Sequence, residues 1–293
     1  YQIGPRFGMV ADVVEHPESG DLVAAGGNGV VYQIAPTVDP TPAPAVAPFS
    51  AQTAKKHQQA WADYLGLPVE KVVDLGGGAK MTFMLIPPGE FMMGSSVDEQ
   101  SRYTKIAKSQ AQRALGRTET FLIATEGPRH LVRISQPFYL SKHETTQGQW
   151  QALMGSNPSN LKGHSNYPVT NVSWLDIQPL LAKLNETAGP HGMQYVLPSE
   201  AQWEYACRAG TETPYYWGND ITRLDKYAWL YGSSGSRMHP VGQLQPNAFG
   251  IHDMHGNVWE WCADWYSVDY YAKSPIGDPG GSPTGTARVR RGS

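Results

Sequence analysis

The segment DMHGNVWEWCADWY, residues 253–266, holds three tryptophans, a glycine–asparagine turn and two acids flanking a cysteine. Read as a strand from Val258, its side chains alternate between two faces. Trp259, Trp261, Ala263 and Trp265 share one face, whose apolar bulk is expected to form a slab of core. Val258, Glu260, Cys262 and Asp264 share the other. That second face sets carboxylates beside a thiol, an arrangement that packing alone does not require.

The bulk composition bounds what such a face can serve. A chain of 293 residues holds one large domain, or one domain plus a fragment. With 23 basic and 26 acidic residues the formal charge is −3, and no basic cluster provides a nucleic-acid footprint. No run approaches the roughly 18 apolar residues of a membrane span. The 31 glycines and 23 prolines favour a loop-rich architecture over long helices. Two cysteines, Cys207 and Cys262, exclude a disulfide framework and a four-cysteine zinc site. One disulfide, two free thiols, or partners elsewhere all stay open. The chain opens on Tyr1 with no initiator methionine and no signal peptide. It is expected to be cut from a longer protein, and its localisation is not legible.

Residues 20–35, GDLVAAGGNGVVYQIA, read as strand, tight turn at Gly26–Gly29, and strand. A lone hairpin is marginal in water. Residues 1–35 are therefore expected to be a fragment of an upstream β domain, similar to the last strands of a propeller blade. PTVDPTPAPAVAP, 36–48, is an extended Pro/Ala linker. Within 49–71, Ser50 caps a helix through Tyr64, with Trp61 on its apolar face and Gly66 at its end. The main domain is placed at 72–293. MTFMLIPPGEFMMGS, 81–95, gives strand, Pro-Gly turn and strand; 96–130 is a polar insertion; HLVRISQPFYLSKHETT returns to strand.

Three more helices are marked by their spacing. TTQGQWQALMG places Trp150, Leu153 and Met154 on one side and stops at Gly155. Ser173 and Asp176 resemble a capping box ahead of a stripe of Ile177, Leu180, Leu181 and Leu184. Pro179, early in that helix, is expected to cost up to roughly 3 kcal/mol. In LPSEAQWEYACRAG, Ser199 caps, Gln202 answers and Gly210 terminates. Trp203, Ala206 and Cys207 are expected inside, with Glu204 and Arg208 as an exposed i,i+4 pair. Trp203, Trp259 and Trp261 are thus all expected to be buried framework.

Seven blocks occur in order: LIPPGEFMMGS, FYLSKHETTQGQW, PVTNVSW, LPSEAQWEYACRAGT, YYWGN, NAFGIHDMHGNVWEWCADWY and RVRRGS. Together they resemble the formylglycine-generating enzyme (sulfatase-modifying factor) family, from Met81 onward. The resemblance implies an irregular, loop-rich α+β fold related to the C-type lectins. For catalytic members it implies oxidation of a sulfatase cysteine to formylglycine, using oxygen and a copper ion held by two cysteines, with calcium bracing the fold. Other relatives are non-catalytic display or ligand-binding domains.

By the same resemblance, Asp253, Gly256, Val258 and Glu260 match a calcium site of one oxygen side chain, two backbone carbonyls and a glutamate. Calcium takes such oxygens at about 2.3–2.6 Å. The plainer alternative is that Asp253 caps a turn and Glu260 meets an arginine such as Arg237. Glu144 matches a further ion-associated acid, with a strand-end salt bridge as its alternative. At a second family calcium position Trp229 stands where asparagine is expected, and no ion is predicted there. Cys207 matches a structural-disulfide cysteine whose partner is absent, so it is expected to be a buried thiol. Cys262, between Glu260 and Asp264, should have a raised pKa and be a poor nucleophile. His252 and His255 are three apart but sit in a loop, and are read as turn residues; His239 is unassigned. The sequons at Asn171 and Asn185 carry no meaning without secretion. The family's copper cysteines follow the RVRRGS block. Copper is therefore expected only if two cysteines lie beyond Ser293, and this polypeptide by itself is not expected to generate formylglycine.

Two functions are left to compare. In the first, the parent protein is a copper-dependent oxidase converting a peptide cysteine to formylglycine. In the second, a non-catalytic C-type-lectin-like domain binds a peptide or protein ligand, tethered by the linker to an upstream propeller or signalling module. The upstream hairpin and the linker favour the second.

Overall fold

The computed structural model describes residues 41–110, 123–162, 164–188, 194–230, 234 and 237–292, together with the backbone of three strands nearer the N-terminus. The chain forms two compact units, Tyr1–Pro42 and Ala43–Ser293. In the first, β1 (Val10–Glu15), β2 (Leu22–Gly26) and β3 (Val31–Ile34) form an antiparallel meander, with Val23 opposite Gln33. The hairpin read from the sequence is present with one strand more. Residues 27–30 of its turn and 35–40 of the linker lie outside the described residues.

The second unit begins inside the expected linker. β4 (Ala45–Val46) pairs in parallel with β7 (Gly89–Met93), and Ala45 is 0% exposed. The close approach depends on Gly89, where an added Cβ would lie 2.1 Å from the Ala45 carbonyl oxygen. The linker reading therefore fails at Ala45: a small residue and a facing glycine turn Pro/Ala chain into a paired edge.

β7 also pairs with β8 (His130–Ile134), completing a three-stranded sheet in the order β4-β7-β8. A second sheet runs β5 (Glu70–Gly76), β6 (Ala79–Ile86) and β9 (Phe138–Ser141), antiparallel throughout. Pro87 and Pro88 carry the chain from β6 in one sheet to β7 in the other. α1 (Ala51–Leu65) starts at Ser50, whose hydroxyl accepts from the Thr53 N–H, and ends at Gly66 in the left-handed conformation. α2 (Val97–Gln110) lies in the polar insertion. α3 (Gln147–Met154) opens on a complete Thr146/Gln149 capping box. α4 (Trp174–Ala188) continues through Pro179, which takes one donor out of its early turns, with Leu175 exposed one turn earlier. α5 (Glu200–Arg208) opens on a Ser199/Gln202 capping box.

α3 and α4 cover one sheet through Phe83, Trp150, Ile177, Leu180 and Leu184. α5 packs into the main core with Ile86, Phe91, Val132, Phe249 and Met254. β10 (Glu260–Trp265) and β11 (Arg288–Arg291) form a two-stranded antiparallel ribbon.

β10 faces the opposite way from the sequence expectation. Cys262 and Asp264 are 0% and 2% exposed, whereas Trp259 is 46% exposed and Trp261 and Trp265 are half-buried. The cause lies in β11. Its Arg288 guanidinium stacks 3.4 Å from the Trp265 ring centre and 3.8 Å from that of Trp174, and Arg290 stands over Trp259 and Trp261 at 5.3 and 5.4 Å. Arginines cover the outer sides of these tryptophans, although Trp261 also packs against the Phe83/Trp150/Ile177 core. Asp264 turns inward because its carboxylate accepts the Glu200 N–H (2.8 Å) at the start of α5. Trp203 is buried as expected, at 3%.

Candidate functional site

The inward face of β10 joins two carboxylate clusters. On the α5 side, the expected exposed pair of Glu204 and Arg208 is buried. Glu204 Oε1 accepts from Arg208 Nε (2.8 Å) and from the Gly94 N–H (2.8 Å), while Oε2 accepts from the Arg291 guanidinium (2.8 Å). Arg291 also reaches Glu200 at 3.1 Å, where Tyr271 donates its hydroxyl proton (3.0 Å). The inversion follows from Arg291, which arrives on β11 and closes the network over the helix. Burial alone would raise the Glu204 pKa, yet Arg208, Arg291 and the Gly94 amide hold it at about 2.

The second cluster has no such arginines. Glu144, just beyond β9, accepts from Asn257 Nδ2 (2.7 Å) and from the Val258 N–H (3.1 Å). Asp253 Oδ2 accepts from the Gly242 N–H (2.7 Å), but Asp253 Oδ1 is buried without a hydrogen-bond partner. Glu260 Oε2 accepts from Trp203 Nε1 (3.1 Å). Its Oε1 and the Val258 carbonyl both border Gly292: a Cβ placed there would be 3.1 Å from Val258 O and 3.6 Å from Glu260 Oε1. Gly256 is tied into the same corner, donating its N–H to Gly292 O (2.7 Å). Burial pushes Glu260 up to about 7, with Asp253 adding to the rise and the Trp203 N–H opposing it. Burial, Glu260 and Asp253 raise Glu144, and burial raises Asp253.

The structure therefore brings Glu144, Asp253, Gly256, Val258 and Glu260 into one neighbourhood, although Glu144 is more than a hundred residues from the others. Neither plainer alternative describes it. Asp253 holds Gly242, not a turn of its own, and Glu260 meets an indole with no ion pair among the described residues. Among those residues no three histidine, cysteine, aspartate or glutamate side chains could hold a metal by themselves. A cation here must draw on backbone oxygen.

The thiols and histidines go elsewhere. Cys207 sits on the inner face of α5, 3.6 Å from His255 Nε2, and burial pushes its thiol up to about 12. Cys262 is free and buried on β10, raised first by burial and then by Glu200. Two buried thiols, both raised and packed as members of the main hydrophobic core, do not fit a copper(I) site, which takes paired thiolates. His252 and His255 diverge: His252 packs on His143 and bonds Leu244 O (2.9 Å), while His255 stacks on Tyr216. His239 stacks on Trp229 with ring centres 3.7 Å apart.

Beside the second cluster lies a groove of about 530 Å³ whose lining is largely apolar, including Phe83, Tyr139, Trp150, Leu180, Tyr195, Leu197, Trp259 and Trp261, with Glu144 and Glu260 at one end. β9 runs along it as an edge strand, paired only with β6. Lys142 N–H donates to Thr82 O (2.8 Å), and Leu140 and Phe138 stand opposite Met84 and Ile86. The backbone groups of Phe138, Leu140 and Lys142 thus address β6. Those of Tyr139 and Ser141 address the other side, where among the described residues no strand pairs with them. This groove was not legible in the sequence: each wall comes from a different part of the chain, and its one local signal was the β-propensity of FYLS.

Comparison with known proteins agrees with this architecture. The sulfatase-modifying factor enzyme 1-like domain family matches residues 77–293. The formylglycine-generating enzyme of Streptomyces coelicolor is 38% identical over 155 residues, covering 49% of this chain and 46% of that protein. The chain spans about half the length of the formylglycine-generating enzymes it matches. Among solved structures, PvdO from Pseudomonas aeruginosa superposes with a TM-score of 0.59 at 26% identity, covering 76% of this chain and 85% of PvdO. Treponema denticola variable protein 1 gives 0.58 at 26%, covering 77% and 87%. Among the described residues no helix is long and apolar enough to cross a membrane. With its α+β, C-type-lectin-like fold and a family match over most of its length, this chain belongs to the sulfatase-modifying factor enzyme 1-like domain family.

Proposed function

We propose that this domain recognises an extended polypeptide strand in the groove beside β9, with a calcium ion bracing the groove's acidic end. The observation that carries the reading is the unpaired outer edge of β9 running along an apolar trough. Unpaired backbone groups beside apolar surface favour an incoming strand, which supplies main-chain hydrogen bonds while alternate side chains enter the trough. The calcium reading rests on the partnerless Asp253 Oδ1 and on the Val258 carbonyl and Glu260 Oε1, which both border Gly292. Asp253, Glu260 and the carbonyls of Gly256 and Val258 would hold the ion, with Glu144 behind them.

The relatives named formylglycine-generating enzymes support a finer version, in which the whole protein oxidises a cysteine on the bound peptide. Peptide binding is common to both versions. The copper thiolates of the finer one would have to be residues other than Cys207 and Cys262.

Binding is tested by titrating fluorescently labelled peptides of alternating apolar and polar residues and following anisotropy. Saturable binding that is lost when one backbone amide of the peptide is N-methylated supports strand addition. If the full-length protein bound no peptide because its own chain already filled the groove, recognition in trans would be overturned.

A further inference from the structure

If the groove takes a polypeptide strand, the strand must also meet the charges at its rim. Trp259 is the most exposed of the tryptophans lining the trough, and Arg290, which is not itself a lining residue, stands over both Trp259 and Trp261. Arg290 is exposed, and its guanidinium makes no ion pair or hydrogen bond among the described residues. At another part of the groove Lys71 Nζ lies 5.7 Å from the centre of the Tyr139 ring. Among the described residues the acids in the lining are Glu144 and Glu260. Glu144 is buried with both oxygens accepting, and Glu260 is turned toward Trp203. The groove thus presents apolar walls with cations over their aromatic faces, and its carboxylates point inward.

We infer that the strand it takes carries an acidic side chain beside its apolar ones, read by the Arg290 guanidinium where it rests on Trp259 and Trp261. This deepens the polypeptide reading above and rests on it. A guanidinium held over indole faces keeps N–H groups with which to donate, and a carboxylate is the peptide group that accepts two of them side by side. Burying the indole face under the incoming chain strengthens the pair by excluding water. A strand with lysine at that position would set like charges together.

The test uses three labelled peptides of one alternating apolar sequence, differing only in glutamate, glutamine or lysine at the position nearest Arg290. At low ionic strength the glutamate peptide should bind about two- to fivefold tighter than the glutamine peptide, the scale of an exposed ion pair. Lysine should be weakest, and the spread should shrink as salt screens the pair. Arg290→Gln should remove the difference between glutamate and glutamine, and Arg290→Glu should reverse the order in favour of lysine. Equal binding of the glutamate and glutamine peptides would overturn the inference while leaving strand recognition standing. So would an order unchanged in Arg290→Glu. Failure of all three peptides to bind would overturn the recognition reading and this inference with it. If Arg290→Glu does not fold, Arg290→Gln and the peptide series still decide the matter.

Discussion

Around α5, Glu200 and Glu204 meet Arg208 and Arg291; under the 253–260 loop, Glu144, Asp253 and Glu260 meet no arginine or lysine among the described residues. Both clusters are buried, and Trp203 stands between them, with Arg291 over its ring at 5.3 Å and its indole N–H given to Glu260. The first is complete as folded: each Glu204 oxygen has its donors, and the carboxyl titrates far below its usual range. The second leaves an oxygen without a partner and its carboxyls raised. Burying charge without compensation is costly, so the second cluster needs protons or a cation from outside the chain. A buried acid cluster is therefore structural or ligand-demanding according to whether the fold delivers its counter-charge.

The largest effect should come from breaking the complete cluster. Arg291→Met removes the cation bridging Glu200 and Glu204 and leaves buried charge behind, which typically costs about 3–5 kcal/mol. Urea unfolding measures it. A cost below about 1 kcal/mol would mean that Arg208 alone satisfies both acids and that the two clusters differ less than their geometry indicates.

Calcium comes next. At about 100 times its dissociation constant, an ion binding only the folded state adds roughly 2.7 kcal/mol. Thermal melts in calcium and in chelator should differ accordingly, and Glu260→Gln should abolish the difference while Glu204→Gln keeps it. Identical midpoints with and without calcium would remove the ion from the second cluster.

Glu204 and the second cluster should also bend the pH profile in opposite directions, while Glu200, raised by burial despite Arg291, acts with the second cluster. Glu204 has a folded pKa of about 2 against an ordinary 4.5, so the folded state binds fewer protons than the unfolded state between these values. Its stabilisation is present above pH 4.5 and is lost as pH falls toward 2. Glu260, raised to about 7, has the reverse sign: its contribution is present below pH 4.5 and is lost as pH rises through 7. Glu144 and Asp253, also raised, act in the same sense. The chelated protein should be most stable between these limits. Glu204→Gln should flatten only the acid limb and Glu260→Gln only the neutral one. A chelated protein whose stability climbs steadily to pH 8 would contradict the raised carboxyls.

Local chemistry made much of the fold legible and left the clusters obscure. Ser50, the Thr146/Gln149 pair and the Ser199/Gln202 pair mark helix starts because capping partners lie within three residues. The seven sequence blocks carried the family. The environment of Glu204 depended instead on Arg291, 87 residues away, so an i,i+4 pair that reads as solvated became core. Glu144 and Val258, 114 residues apart, meet only in the folded chain. The candidate residues Asp253, Gly256, Val258 and Glu260 were visible as a motif, but the groove beside them was not.

The smallest expected effect tests the face of β10, on which the second cluster depends. Alternation along the strand permits either face to be inside, and three tryptophans made the wrong one attractive. Trp259 lies half out of the molecule against Arg290, and Trp259→Ala should change stability by no more than about 0.5 kcal/mol, as for a surface site. A buried aromatic truncated in the same way costs about 3–5 kcal/mol. Chemical denaturation of Trp259→Ala separates the two. A loss of several kcal/mol would place the tryptophans inside and turn Glu260 outward to water. Its pKa would then return to the ordinary carboxylate range, and the contrast between a completed cluster and one awaiting a cation would disappear with it.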